Sequence, residues 1–155
     1  MSKGRRIPLW EAEGLAQSIS LQLHKEGVKN LICGSIRRGI KATVGDLDFV
    51  VSDLSVAARV LNHNVADGRK TVKFDYNGMN INLYVATDEE WGAMVLFLTG
   101  NGVFNKITRW KAKEEGFKLN QYGLWRGEVR IAGKDEYDIL DKIGMRRVSP
   151  SDREK

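Results

Sequence analysis

Apolar residues recur along this chain at two periods. Between positions 11 and 25 they return every three or four residues, at Ala12, Leu15, Ala16, Ile19 and Leu23. That spacing predicts an amphipathic helix, which Gly27 ends. Residues 28–33 and 47–51 are short apolar runs and read as strands, with Gly34-Ser35 as a turn after the first. Ser52 or Asp53 can cap a short helix that runs through Leu61. Residues 71–74 and 79–86 read as strands joined by a hairpin turn, Asp75-Tyr76-Asn77-Gly78. Thr87 or Asp88 caps an apolar helix over 89–98, and Thr99-Gly100-Asn101-Gly102 breaks it. A further helix over 103–115 ends at Gly116. A β segment near 118–132 and a last helix near 135–143 complete the pattern, which has no internal repeat and no long linker.

Interleaved helices and strands place the chain in the mixed α/β (α+β) class. Its 155 residues fit one large or two small domains, and the break near residue 87 divides it into 1–87 and 88–155. No apolar run approaches the roughly 18 residues of a membrane span. The start, MSKGRRIPLW, is basic but is followed by no apolar core of a secretory signal. Cys33 is the only cysteine, so no internal disulfide and no cysteine metal cluster is expected. The expectation is a soluble, intracellular, monomeric protein with no membrane partner. The net charge of +5 favours a polyanionic partner only weakly. Trp10, Trp91 and Trp110 sit in apolar patterns and are expected in the core. Trp125 reads as a packing residue that could alternatively stack on a base. His24 and His63 read as surface or helix-end residues.

The chemistry is concentrated in CGSIRRGIKATVGDLDFVV, residues 33–51. Alternate residues of a strand share a face, so Asp46 and Asp48 point one way while Leu47, Phe49 and Val51 point into the core. An isolated Asp-x-Asp is more often a polar strand entry. Two carboxylates on one face repel each other unless a cation lies between them, and oxygen ligands suit Mg²⁺. Gly34 and Ser35 follow a strand, where backbone N–H groups and a hydroxyl can face an anion. Arg37 and Arg38 add planar donor forks suited to phosphate. Together they read as a triphosphate–Mg²⁺ site.

Gly34-Ser35-x-Arg37-Arg38-Gly39 followed by Gly45-Asp46-Leu47-Asp48 resembles the signature of the family X DNA polymerases, the family of DNA polymerase beta. Phe97-Leu98-Thr99-Gly100 resembles that family's Tyr-Phe-Thr-Gly motif. Phe104-Asn105-Lys106, Arg109 and Gly116-Phe117 follow at the family's spacing. Asn120-Gln121-Tyr122 resembles its Asn-Glu-Tyr. Arg6-Ile7-Pro8 is similar to the start of the catalytic region, and Pro150, Asp152 and Arg153 to its end. The resemblance covers nearly the whole chain. Before residue 6 there is room for neither the family's lyase domain nor its helix-hairpin-helix domain, as in its small viral members.

The resemblance implies a nucleotidyltransferase palm, then a small C-terminal α/β subdomain for nucleotide and template. It implies template-directed DNA synthesis by two-metal phosphoryl transfer in short gaps, as in DNA repair. Its partners would be gapped or primed duplex DNA and a deoxynucleoside triphosphate; its cofactor would be two Mg²⁺ ions, with Mn²⁺ able to substitute. Asp46, Asp48 and the residue at position 82 would be catalytic and hold metal. Gly34, Ser35, Arg38 and Gly45 would hold the phosphates. Phe97, Leu98, Gly100 and Asn105 would flank the nucleotide. Lys106, Arg109, Lys111 and Tyr122 would contact DNA. A bacterial cytoplasm or a virus or phage is the implied setting.

The main departure is Asn82, at the position of the family's third catalytic aspartate. An amide keeps the shape of the carboxylate without its charge or basicity. Three readings stay open: an isosteric replacement of a parental aspartate, a natural loss of activity, or another acid in its place, with Asp75 nearest in sequence. Phe97-Leu98 for Tyr-Phe leaves sugar selectivity open, and Gln121 replaces a glutamate. The alternatives to the polymerase are a nucleotidyltransferase with another acceptor and a non-catalytic DNA- or nucleotide-binding module.

Overall fold

A computed structural model describes residues 5–154; Met1 to Gly4 of the basic N-terminal segment and Lys155 lie outside them. The chain forms two units, one running to Val85 and one starting at Ala86.

The first unit begins with a two-residue strand, β1 (Ile7–Pro8), and helix α1 (Leu9–Lys25). Ala12, Ala16, Ile19 and Leu23 form the buried stripe of α1, and Gly27 leaves the helix with φ +76°. The strand expected over 28–33 is shorter, β2 (Asn30–Ile32). Gly34-Ser35 is not a free turn: Gly34 opens a short helix, α2 (Gly34–Arg38), closed by the left-handed Gly39. β3 (Thr43–Val44) pairs with β1; β4 (Asp46–Val51) follows, then α3 (Leu54–Val60). Asp53 caps α3, accepting from the Val56 N–H at 3.0 Å, while Ser52 accepts from the Lys29 N–H at 2.9 Å.

The hairpin of β5 (Thr71–Tyr76) and β6 (Met79–Val85) turns through two residues, not four. Asn77 and Gly78 both have positive φ, +53° and +88°, the backbone of a type I′ turn. Asp75 therefore belongs to a strand and pairs with Asn80, contrary to its reading as part of the turn. The four strands lie in the order β2-β4-β6-β5, with β4 and β6 parallel and the other pairs antiparallel. One face of the sheet is the core. Leu47, Phe49, Val51, Met79, Ile81 and Leu83 are fully buried there with α1 and α3. Each such large side chain contributes about 1.5–3 kcal/mol.

The second unit starts with the apolar helix α4 (Trp91–Thr99), which neither Thr87 nor Asp88 caps. Instead the Glu90 carboxylate accepts from the Thr87 N–H at 3.1 Å. Gly92 allows α4 to lie against the backbone of Asp135, where a Cβ would not fit. After a cis Gly100–Asn101 bond comes α5 (Gly102–Glu114), whose N-terminus Asn101 caps by accepting from the Phe104 N–H at 3.0 Å. β7 (Lys118–Asn120), β8 (Gly123–Arg126) and β9 (Val129–Ala132) form an antiparallel sheet, where the sequence suggested one β segment. α6 (Glu136–Lys142) and a 3₁₀ turn (Pro150–Asp152) complete the unit.

Trp91 is half-buried, but Trp10 and Trp110 are 74% and 60% exposed, against the expectation of core positions. No helix among the described residues is long and apolar enough to cross a membrane.

Candidate active site

In the first unit the site follows from strand register. β4 and β6 run parallel with Asp46 beside Asn80 and Asp48 beside Asn82. Neighbours in register share a face, so Asp46, Asp48, Asn80 and Asn82 lie together on the side away from the core. β5 extends both rows, setting Lys73 beside Asn82 and Asp75 beside Asn80. The Asn82 amide donates to an Asp48 carboxylate oxygen at 2.6 Å. Burial raises the Asp48 pKa above the ordinary 3.8. The hydrogen bond from Asn82 opposes this, nearby Asp46 adds to it, and the charges of Lys73 and Arg38 lower it.

The short helix α2 abuts these carboxylates. Gly34 has φ +60°, and a Cβ there would run into the Asp48 carboxylate, so conformation and space both demand glycine. The Cys33 N–H donates to the Asp48 carbonyl at 2.7 Å and ties α2 to β4. Arg38 donates to the Ser35 hydroxyl at 3.1 Å, so these two act as one donor group. Arg37, the other member of the basic pair, lines a groove with α1 instead. At Gly45 a Cβ would come within 3.0 Å of the Arg6 guanidinium, which also donates to the Thr43 carbonyl at 2.9 Å.

In the second unit Phe97, Asn105 and Arg109 come together. The Asn105 amide donates to the Phe97 carbonyl at 2.8 Å, and the Arg109 guanidinium lies 5.4 Å from the Phe97 ring centre. Leu98 is half-buried and Gly100 buried beside them in sequence. Lys106 is exposed, while Lys111 is half-buried and pairs with Glu114 at 3.9 Å. Tyr122 lies in the β7–β8 turn, where the Asn120 side chain accepts from the backbone N–H groups of Tyr122 and Gly123. The same oxygen accepts from the Trp125 indole at 3.1 Å, and Arg130 covers the Trp125 ring at 4.7 Å, so Trp125 is a packing residue.

Comparison with known proteins finds similarity to DNA polymerases. The DNA polymerase beta thumb family matches residues 94–154. Over 169 aligned positions the chain is 28% identical to the Repair DNA polymerase X of African swine fever virus in two isolates. The alignment covers 97% of this chain and 97% of each viral protein. DNA polymerase IV of Saccharomyces cerevisiae is 27% identical over 90 residues, 58% of this chain but 14% of the yeast protein. These similarities agree with the resemblance of the chain's motifs to the family X DNA polymerases.

The acid set of the site is small. Among the described residues no group of three His, Cys, Asp or Glu side chains converges as a metal site. Asp75 lies on the right sheet face but in the row of Asp46 and Asn80, with β6 between it and β4. Its carboxylate accepts from the Gly78 N–H at 3.1 Å. That position does not replace a carboxylate at residue 82. Two residues escaped the sequence reading. Lys73 was legible in principle, since a two-residue Asn-Gly turn sets it opposite Asn82. Arg6 had no comparable signal, because its approach to Gly45 depends on β1 pairing with β3.

Proposed function

We propose that this chain is built as a repair DNA polymerase that adds deoxynucleotides to a primer 3′-hydroxyl in short gaps. The observation that carries the reading is the parallel register of β4 and β6. It sets Asp46, Asp48 and residue 82 on one face, directly against the Gly34–Arg38 helix. The end-to-end similarity to viral repair polymerases supports the same assignment.

Asp46 and Asp48 fit a hard divalent cation such as Mg²⁺. Two carboxylates share a face, and burial and like charge leave one of them costly to ionise alone. Bound there, such ions would act as Lewis acids toward the phosphoryl oxygens and lower the pKa of the primer hydroxyl. With two carboxylates in the set, nucleotide phosphates and water would complete the coordination.

The chain's own residues would supply positioning and charge. Ser35 and Arg38, already joined by a hydrogen bond, would donate to the β and γ phosphates, where Gly34 lets the backbone approach closely. Gly45 and Arg6 would flank the same phosphates. Phe97, Leu98 and Gly100 would border the sugar and base, and Asn105 would be freed from the Phe97 carbonyl to reach the nucleotide. Arg109, Lys106, Lys111 and Tyr122 would hold the DNA.

Asn82 favours a second reading, in which this chain binds primed DNA and triphosphate without turning over. The amide nitrogen, not the oxygen, faces Asp48, so residue 82 offers a metal nothing unless the amide rotates. It is no base for the primer hydroxyl. Primer extension across a one-nucleotide gap, with Mg²⁺ and all four deoxynucleotides, separates the readings when this chain is compared with Asn82→Asp. Extension by Asn82→Asp alone identifies a polymerase with one disabled ligand. Extension by neither, with DNA binding intact, supports the binding module.

A further inference from the structure

The outer face of α5 carries a feature that the nucleotide site does not use. Phe104, Thr108 and Ala112 turn inward and are buried. Val103, Ile107 and Trp110, at the i, i+4 and i+7 positions of the same helix, are 65%, 44% and 60% exposed. An isolated exposed hydrophobic needs no explanation, but an aligned stripe ending in a tryptophan does. Cations border it. Lys106 lies one turn before Trp110, about 40° around the helix. Arg109 and Lys113 are exposed on the same flank, and Glu114 is the only acid on the helix. The cationic flank leads on from the stripe to Arg109 and Asn105, which meet Phe97.

We propose that this face takes the unpaired template strand, with a base stacked on Trp110 and its flanking phosphates on Lys106 and Lys113. An aromatic plane interleaved with cations is the chemistry that holds single-stranded nucleic acid, because every base has a π face and every linkage a charge. A second copy of the chain would bring the same cations against themselves, which disfavours self-association through this face. The inference rests on the polymerase reading of the preceding subsection.

Fluorescence anisotropy tests it with a labelled primer–template, either blunt or carrying a 5′ template overhang, at one fixed salt concentration. Native chain, Trp110→Ala and Trp110→Phe are compared, and melting curves establish that each is folded. The native chain should prefer the overhang. Trp110→Ala should lose about tenfold on the overhang substrate and little on the blunt one, whereas Trp110→Phe should keep the preference. Equal losses on both substrates, or none, overturn the inference and leave the polymerase reading standing. So does a Trp110→Ala chain that loses binding to anionic phospholipid vesicles while its overhang affinity is unchanged; the face would then be a membrane contact. A native chain that binds neither DNA overturns both.

Discussion

Placing a carboxylate at residue 82 should destabilise the metal-free protein. The Asn82 amide donates to Asp48 at 2.6 Å, so in Asn82→Asp that donor becomes a second negative oxygen in the same place. Two carboxylate charges about 4 Å apart, at an effective dielectric constant of ~20, repel by about 4 kcal/mol. That repulsion raises one carboxyl of the pair further, so the two would share a proton above the ordinary carboxylate range. The sign follows from linkage. The raised carboxyl is protonated in the folded state at a pH where the unfolded chain has released the proton, so stability falls as pH rises. The penalty should approach about 4 kcal/mol at high pH, where both are ionised, and shrink as pH falls toward the ordinary carboxylate range. For a chain of this size it lowers the melting temperature by on the order of 10 °C at high pH. Thermal unfolding followed by circular dichroism, in chelator and then in millimolar MgCl₂, measures it. Mg²⁺ should recover most of the loss in Asn82→Asp and raise the native chain less. Equal melting temperatures without metal, together with no response to Mg²⁺, would refute both the contact geometry and the cation site.

Four further tests follow from the same geometry. Asp48→Asn should stabilise the metal-free protein at neutral pH. The Asp48 pKa is raised in the fold, so its ionisation costs stability above that value, and the gain should vanish below the ordinary 3.8; melting temperature against pH reads this directly. Gly34→Ala should cost about 1–2 kcal/mol for its left-handed backbone, more once the Asp48 carboxylate is displaced, with triphosphate affinity falling in a fluorescent-nucleotide titration. In the second unit, Arg153 is buried, pairs with Glu136 at 3.0 Å and donates to the Val148 carbonyl. Glu136→Ala should cost about 3–5 kcal/mol in urea unfolding, because it strands a buried guanidinium. The exposed Arg147–Asp141 pair is the control: although doubly hydrogen-bonded, Asp141→Asn should barely move the midpoint. Asn77→Ala should lower stability by roughly 1 kcal/mol while Asn77→Gly does not, because the turn needs positive φ at that residue.

Local periodicity determined much of this protein. The stripe Ala12-Ala16-Ile19-Leu23 announces α1, and alternation in DLDFVV puts Asp46 and Asp48 on one face whatever lies beside them, because side-chain direction in a strand is set by the residue's own backbone. Glycine positions were legible for the same reason: left-handed φ at Gly27, Gly39 and Gly116 is a property of one residue. What the sequence left undecided was every choice between alternative partners. That β6 lies parallel to β4 in the register joining Asp48 to Asn82 depends on packing α3 and β5 around the crossover. Whether Asp75 was turn or strand depended on a turn of two residues rather than four. On α5 the sequence offers two apolar faces, Phe104-Thr108-Ala112 and Val103-Ile107-Trp110. Periodicity cannot rank them, because hydrophobicity is a property of the residue and burial a property of its neighbours. The tertiary structure buried the first face and left the second, with its tryptophan, in water.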